Sequence, residues 1–328
     1  MILGKGHSKQ YLEDWQNGKI RKGLGIGCPV TDQFLRFKQS QLNMILGLDN
    51  VGKTHAQLWY QLVLSVQHGI TWDVWSGENN PSQSIKKLIE MFAGERIDKM
   101  PKHKLYNYHD QIEQWFNFVD IKQMYDIKQM FDIFGSTESK GCLIDPYTGL
   151  KREFGHSDNY KFLNDAREFV NSTGKTMYVT SHPRTEAGVR LYAKPHDLEG
   201  YLKPPLKAHS EGGQPFANRV DDFIVYHRMT DHPIYRTKTE MHIKKVKDTD
   251  TGGGITLNDN PVLLDYNAGL GFTVNGYNPL TNKPKLEQKK IELKPNKNFD
   301  KDINHTIEPK PSKDEDWLNN YMTEETFE

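Results

Sequence analysis

Residues 47–54 read Gly-Leu-Asp-Asn-Val-Gly-Lys-Thr, and this octad constrains the fold more than anything else in the chain. It satisfies G-x-x-x-x-G-K-[ST], a loop whose glycines let consecutive backbone N–H groups turn inward around phosphate oxygens at a helix N-terminus. Such a loop works only between a strand and a helix. An apolar run, Leu42–Leu46, leads directly into it, and Trp59, Leu62, Val63 and Val66 follow at i, i+3, i+4 and i+7, the spacing of a helix laid on a sheet. Gly47, Asp49, Asn50, Val51 and Gly52 then form the cradle. Lys53 reaches the β- and γ-phosphates, and the Thr54 hydroxyl binds Mg²⁺.

Further strand-like segments alternate with helix-like ones over about 20–280: Ile70–Trp75, Cys142–Ile144, Thr176–Thr180, Phe223–Tyr226 and Met241–Val246. Alternation of this kind predicts an α/β fold with a mostly parallel central sheet flanked by helices. Ligands in such sheets sit at the carboxyl ends of the strands. Two carboxylates fall at such ends. Asp145 closes Gly-Cys-Leu-Ile-Asp-Pro and supplies the metal-side carboxylate; Glu78 lies just past the strand that follows the P-loop helix, placed to orient an attacking water.

Composition excludes several classes. Residues AVILMFWYC make up 36%, mean hydropathy is −0.76, and 43 basic residues balance 43 acidic ones. No window approaches 18 apolar residues, so no membrane span is expected, and the N-terminus has no apolar stretch long enough for a signal peptide. Cys28 and Cys142 are the two cysteines, too few for a disulfide scaffold or a cysteine-based zinc site, which points to the cytoplasm. Zero net charge still leaves room for local basic patches that bind nucleic acid.

Three segments emerge: a short arm over 1–20, with a small helix at Gln10–Trp15 and nothing of the size of a primase or collar domain; an ATPase domain over 21–282; and a mobile tail over 283–328. The tail is basic and then acidic, with nine Lys against five acids up to Lys313 and six acids without a basic residue from Asp314 onward. Trp317, Tyr321, Met322 and Phe327 offer anchors on the acidic strip for a basic, apolar-lined groove of another protein. A tandem hexad at 120–131, Asp-Ile-Lys-Gln-Met-Tyr then Asp-Ile-Lys-Gln-Met-Phe, reads as a local duplication inside a helix.

In this order the motifs resemble the RecA-like ATPase domain of ring-forming replicative helicases, the Twinkle, DnaB and phage primase-helicase group of superfamily 4. The resemblance spans about 20–275. It rests on Lys22-Gly-Leu-Gly-Ile-Gly-Cys-Pro-Val-Thr-Asp32, the P-loop, Ser76-Gly-Glu78-Asn79-Asn80-Pro81, Ile144-Asp145-Pro146-Tyr147, Thr180-Ser181-His182-Pro183-Arg184, and Asn218-Arg219 through His227-Arg228. It implies ATP and Mg²⁺ as cofactors, translocation on single-stranded DNA, and a homo-oligomer, a hexameric ring.

By position, His182 matches the γ-phosphate sensor, and Arg228 ends a block at the nucleotide site. Lys245 and Lys247 stand where the family carries Lys-x-Arg, a finger reaching the neighbouring subunit's nucleotide. Lysine at 247 brings charge without the planar fork of arginine. Two basic stretches fall where the family's DNA loops face the channel: Lys151 and Arg152 after Asp145, and Arg190, Lys194, Lys203 and Lys207 in the insert 186–214. Related phage proteins contact the polymerase through an acidic tail, which implies a primase or polymerase contact through 314–328. A P-loop domain without a primase, in a lysine- and asparagine-rich chain, suits a phage. A RecA/RadA-like recombinase or a non-hydrolysing assembly module are the alternatives with the same core.

Overall fold

The structure is a computed structural model and describes residues 4–20, 22–151, 155–211, 213–281 and, for the backbone, 283–284. Arg152 and the segment 285–328, with its acidic end and aromatic anchors, lie outside the described residues.

In chain order the elements are α1 (Lys9–Gln16), α2 (Pro29–Asp32), β1 (Leu42–Leu46), α3 (Lys53–His68), β2 (Trp72–Ser76), α4 (Pro81–Ala93), α5 (Lys102–Trp115), β3 (Phe116–Phe118), α6 (Ile127–Gly135) and β4 (Gly141–Asp145). After these come α7 (His156–Thr173), β5 (Thr176–Ser181), α8 (Gln214–Arg219), β6 (Asp222–His227), β7 (Lys238–Lys245), α9 (Thr249–Gly252), β8 (Val262–Tyr266), β9 (Phe272–Val274), β10 (Tyr277–Asn278) and β11 (Lys283–Pro284).

One sheet runs through the domain in the order β11-β10-β9-β8-β7-β6-β1-β5-β4-β2-β3. The strands from β6 to β3 are all parallel, and β7 to β11 extend the sheet antiparallel. The P-loop strand β1 sits between β5 and β6, in register Leu46↔Ser181 and Leu46↔Val225. The pleat sorts the side chains into two cores. Ile45, Leu143, Tyr178, Ile224 and Tyr226 join the core that includes α3 and α4. Their neighbours Met44, Cys142, Ile144, Met177, Val179, Phe223 and Val225 join the core under α6, α7 and α8. Both faces are covered, which is why the central strands read as continuous apolar runs rather than alternating ones.

The far end of the sheet is pinned by a buried ion pair, Lys175 Nζ to Asp73 Oδ2 at 3.1 Å. Asn117 and Ser139 donate to the other oxygen of Asp73, at 2.9 and 2.8 Å, so the buried carboxylate is fully engaged. This staple ties β2, β3 and β5 opposite the phosphate loop.

Two sequence expectations change. The tandem hexad is not one helix. Asp126 caps α6 with a reciprocal capping box to Gln129, whereas Asp120 accepts from the Lys122 N–H at 3.1 Å in a turn. The first copy leaves β3 directly and its Lys122 N–H is taken by a local Asp turn, so an identical hexad folds differently. Strands β8 to β11 are also additional; they are short hairpin strands, and the sheet takes in Lys283 and Pro284 at the start of the expected tail.

Candidate functional site

Asn50 and Gly52 both adopt positive φ, 59° and 88°, so the loop reverses tightly and α3 begins at Lys53. At Gly47 a Cβ would lie 2.6 Å from the Tyr226 carbonyl oxygen and 2.9 Å from Lys53 Cγ, so only glycine fits there. Lys53 is buried and its ammonium donates to the carbonyls of Gly47 at 2.8 Å and Leu48 at 3.2 Å. Burial pulls its pKa below the ordinary 10.5, and the carboxylates of Asp145, Asp49 and Glu78 pull the other way. A triphosphate entering the loop would exchange those carbonyls for phosphate oxygens. Arg228, just past the end of β6, donates to the Asn50 carbonyl and braces the loop from its other side.

Three parallel strands deliver the remaining groups to the same edge. Thr54 donates to Asp145 Oδ2 at 2.8 Å, Thr180 to Asp145 Oδ1 at 2.6 Å, and Ser76 reaches Oδ2 at 3.4 Å. This leaves the Thr54 oxygen lone pairs and a buried, oriented carboxylate side by side, the hard oxygen donors that fit Mg²⁺. Glu78 stands in a short turn held by Gly77 N–H to the Asp145 carbonyl at 2.9 Å, Asn79 N–H to Ser76 Oγ at 3.1 Å, and Asn80 capping α4. His182, one residue past β5, bridges the site. Its Nδ1 lies 2.9 Å from Asp49 and 3.4 Å from Lys53 Nζ, and its Nε2 lies 3.4 Å from Glu78.

The structure therefore brings Lys53, Thr54, Asp49, Glu78, Asp145 and His182 together, with Asn50, Val51 and Arg228 alongside. Lys245 and Lys247 are elsewhere, at the end of β7. Lys245 donates to the carbonyls of Ala217, Asn218 and Val220 and so ties down the end of α8. Lys247 is exposed and pairs with Asp221 of its own chain at 3.1 Å.

The basic insert is folded rather than open. Leu191 bridges Leu202, Pro183 bridges Ser210, Arg190 donates to the Pro204 carbonyl, Lys194 pairs with Glu199, and Lys203 lies over the Tyr192 ring. Lys207 has no ion pair among the described residues. Lys151 is exposed, and its N–H is held by the Tyr125 carbonyl. The insert is latched by histidines in their neutral form. His227 Nε2 donates to the Leu202 carbonyl with its Nδ1 buried and unpartnered; the Nδ1 atoms of His209 and His232 accept from the Leu206, Ile234 and Tyr235 N–H groups. Burial lowers all three pKa values from 6.5. Unfolded histidines therefore bind protons first, and the latch loses stability as pH falls below 6.5 toward the folded values. Amide exchange over 190–203 should accelerate between about pH 6.5 and 5 while the β1 amides stay protected; equal exchange at both would refute the latch.

Part of the arrangement escapes a reading of the sequence. Ser76 and Thr180 carry a readable signal, a hydroxyl at the end of an apolar strand. The pocket beside the loop carries none. His55, on the first turn of α3, meets Tyr266 and Phe272 edge to face at 5.6 and 5.3 Å, and these three rings wall a cavity of about 300 Å³ that opens beside Gly52. Two of the rings come from the antiparallel extension, far along the chain from the loop.

A P-loop strand flanked by parallel neighbours, with a carboxylate on the next strand but one and a polar sensor between, defines a RecA-like ATPase fold. No protein-family model matches the sequence, and no curated protein is significantly similar to it. Solved structures are similar. One is the ATPase domain of a phage helicase, with a TM-score of 0.66 and 15% identity over 82% of this chain and 99% of that one. Another is a DnaB-like replicative helicase described with its interactions with primase, with a TM-score of 0.62 and 14% identity over 83% of this chain and 67% of that one. The fold is the DnaB-type RecA-like helicase domain. Among the described residues no helix is long and apolar enough to cross a membrane.

Proposed function

We propose that this chain is a Mg²⁺-dependent nucleoside triphosphatase that drives translocation on single-stranded DNA, a replicative helicase of Twinkle/DnaB type encoded by a phage. The observation that carries the reading is the convergence of Lys53, Thr54, Glu78, Asp145 and His182 on one edge of a DnaB-type sheet. The P-loop amides and Lys53 would hold the β- and γ-phosphates. Glu78 would align and deprotonate the attacking water, and His182, touching both Glu78 and Lys53, would report the γ-phosphate to the strand that leads into the insert. Mg²⁺, held by Thr54 and through water by Asp145, supplies neutralisation of phosphate charge. Phosphate-end chemistry is common to all nucleoside triphosphates; ATP is the one that the resemblance implies.

The functional unit would be a homo-oligomer, a hexameric ring in which Lys245 and Lys247 face a neighbour's nucleotide. Lys151, Arg152, Arg190, Lys194, Lys203 and Lys207 would follow the DNA backbone, and 314–328 would meet a primase or polymerase in the host cytoplasm.

Hydrolysis stimulated by single-stranded DNA together with unwinding of a forked duplex tests this. Strand exchange without unwinding would favour a recombinase instead. The DNA loop has its own test: changing Lys194, Lys203 and Lys207 to Ala should flatten the log–log salt dependence of single-strand binding by about 0.7 per lost contact, about 2 in all. An unchanged slope would place the DNA elsewhere.

A further inference from the structure

The cavity beside the P-loop is unlike the rest of the site in its charge. Its walls hold Lys86, Lys87, Arg96 and Arg228 against a single acid, Glu90. Glu90 is buried and already engaged: it accepts from Lys86 at 2.8 Å, from Arg96 at 3.2 Å and from the Ile97 N–H at 3.2 Å. Arg96 also donates to the Ala268 carbonyl. Two cationic donors remain. Lys87 has no ion pair or hydrogen bond among the described residues, and Arg228 uses one terminal nitrogen on Asn50 while its buried Nε is unpartnered. The cations register inside the cavity, since Lys87, Arg228 and Arg96 join burial in lowering the His55 pKa to about 4. Among the described residues of the wall, no free carboxylate or side-chain amide is left to accept a hydrogen bond.

We infer that this cavity selects the base of the bound nucleotide by its acceptor edge, taking guanine ahead of adenine, with Lys87 as the specificity-determining residue. The inference rests on the reading of the P-loop site as nucleotide-binding. A base seated against the Tyr266, Phe272 and His55 rings turns its edge toward the cationic wall. Guanine presents O6 and N7, two acceptors that lysine and arginine pair with; adenine presents N7 beside an N6 amine, a donor facing donors. A buried donor without a partner carries its full desolvation cost. The selectivity thus departs from the ATP that the resemblance implies.

The test is competition of GTP, ITP and ATP against a fluorescent ADP on the full chain with Mg²⁺. GTP and ITP should bind about tenfold more tightly than ATP, the discrimination typical of one good base-edge pair. ITP separates the O6/N7 edge from the 2-amine, which it lacks. Lys87→Ala should bring the three within about twofold by weakening GTP and ITP and leaving ATP unchanged. Equal affinities in the unmodified chain, or a preference that survives Lys87→Ala, would overturn the inference while binding still depends on Lys53. Loss of all triphosphate binding from the unmodified chain, or binding untouched by Lys53→Ala, would overturn the nucleotide reading and this inference with it.

Discussion

Glu78→Gln should lower triphosphate turnover by about 10²–10⁴-fold while leaving nucleotide affinity within a few-fold, the range expected when a positioned general base is removed. The geometry explains why binding survives. Glu78 is exposed, contacts neither Thr54 nor Asp145, and touches the phosphate-binding groups through His182 Nε2 at 3.4 Å. The amide keeps the size and the turn, which is fixed by the Gly77 and Asn79 N–H groups and by Asn80, so only the basic oxygen is lost. Single-turnover hydrolysis and equilibrium binding separate the two effects. Turnover retained in Glu78→Gln would assign the base elsewhere, and a parallel collapse of affinity would make Glu78 part of the cradle.

Lys247→Ala carries the other large expected effect. An arginine finger contributes about 10³–10⁵ in rate. A lysine gives a point charge without the bidentate fork, so a loss of about 10²-fold in DNA-stimulated hydrolysis is expected, with binding preserved. Lys247→Arg should raise the rate. Within one chain Lys247 is exposed and pairs with Asp221, an arrangement that costs little to break at a surface. Lys245 is different: its three carbonyl contacts hold α8, so Lys245→Ala should loosen the domain itself. Mixing Lys247→Ala chains with Glu78→Gln chains decides whether the residue acts across an interface. Each mixed interface can pair an intact base with an intact finger, and activity above the sum of the two variants is expected. No loss in Lys247→Ala alone would remove the trans role.

Much of the site is legible in the sequence because its chemistry is local. The octad at 47–54 needs its own strand and helix, and both are where the pattern places them. Asp145 and Glu78 stand out as carboxylates that end apolar strands, since a parallel sheet brings all such ends to one edge. That argument needs no knowledge of strand order. It reaches Asp145 but passes over Ser76 and Thr180, the hydroxyls that orient its carboxylate, because a hydroxyl at a strand end is common and only the register across β2, β4 and β5 gives it a target.

What the sequence by itself determined is the phosphate end of the site, because one short run of consecutive residues supplies both the loop conformation and its donors. Tertiary structure alone decided the rest. The tandem hexad shows the limit most simply: Asp120 and Asp126 begin identical runs, yet one makes a turn and the other caps α6, since the exit of the chain from β3 fixes the first copy. The insert is the second case. Its lysines and arginines read as free charge, whereas histidines on β6 and in the loop after it, with Tyr192 and Glu199 within the insert, hold most of them in place. The base pocket is the third. His55 is adjacent to the P-loop in sequence, but Lys87 and Arg96 come from α4 and the turn beyond it and Tyr266 and Phe272 from the antiparallel extension. Residues so far apart in the chain share a wall only because the sheet continues past β7 and folds its hairpins back over the start of α3.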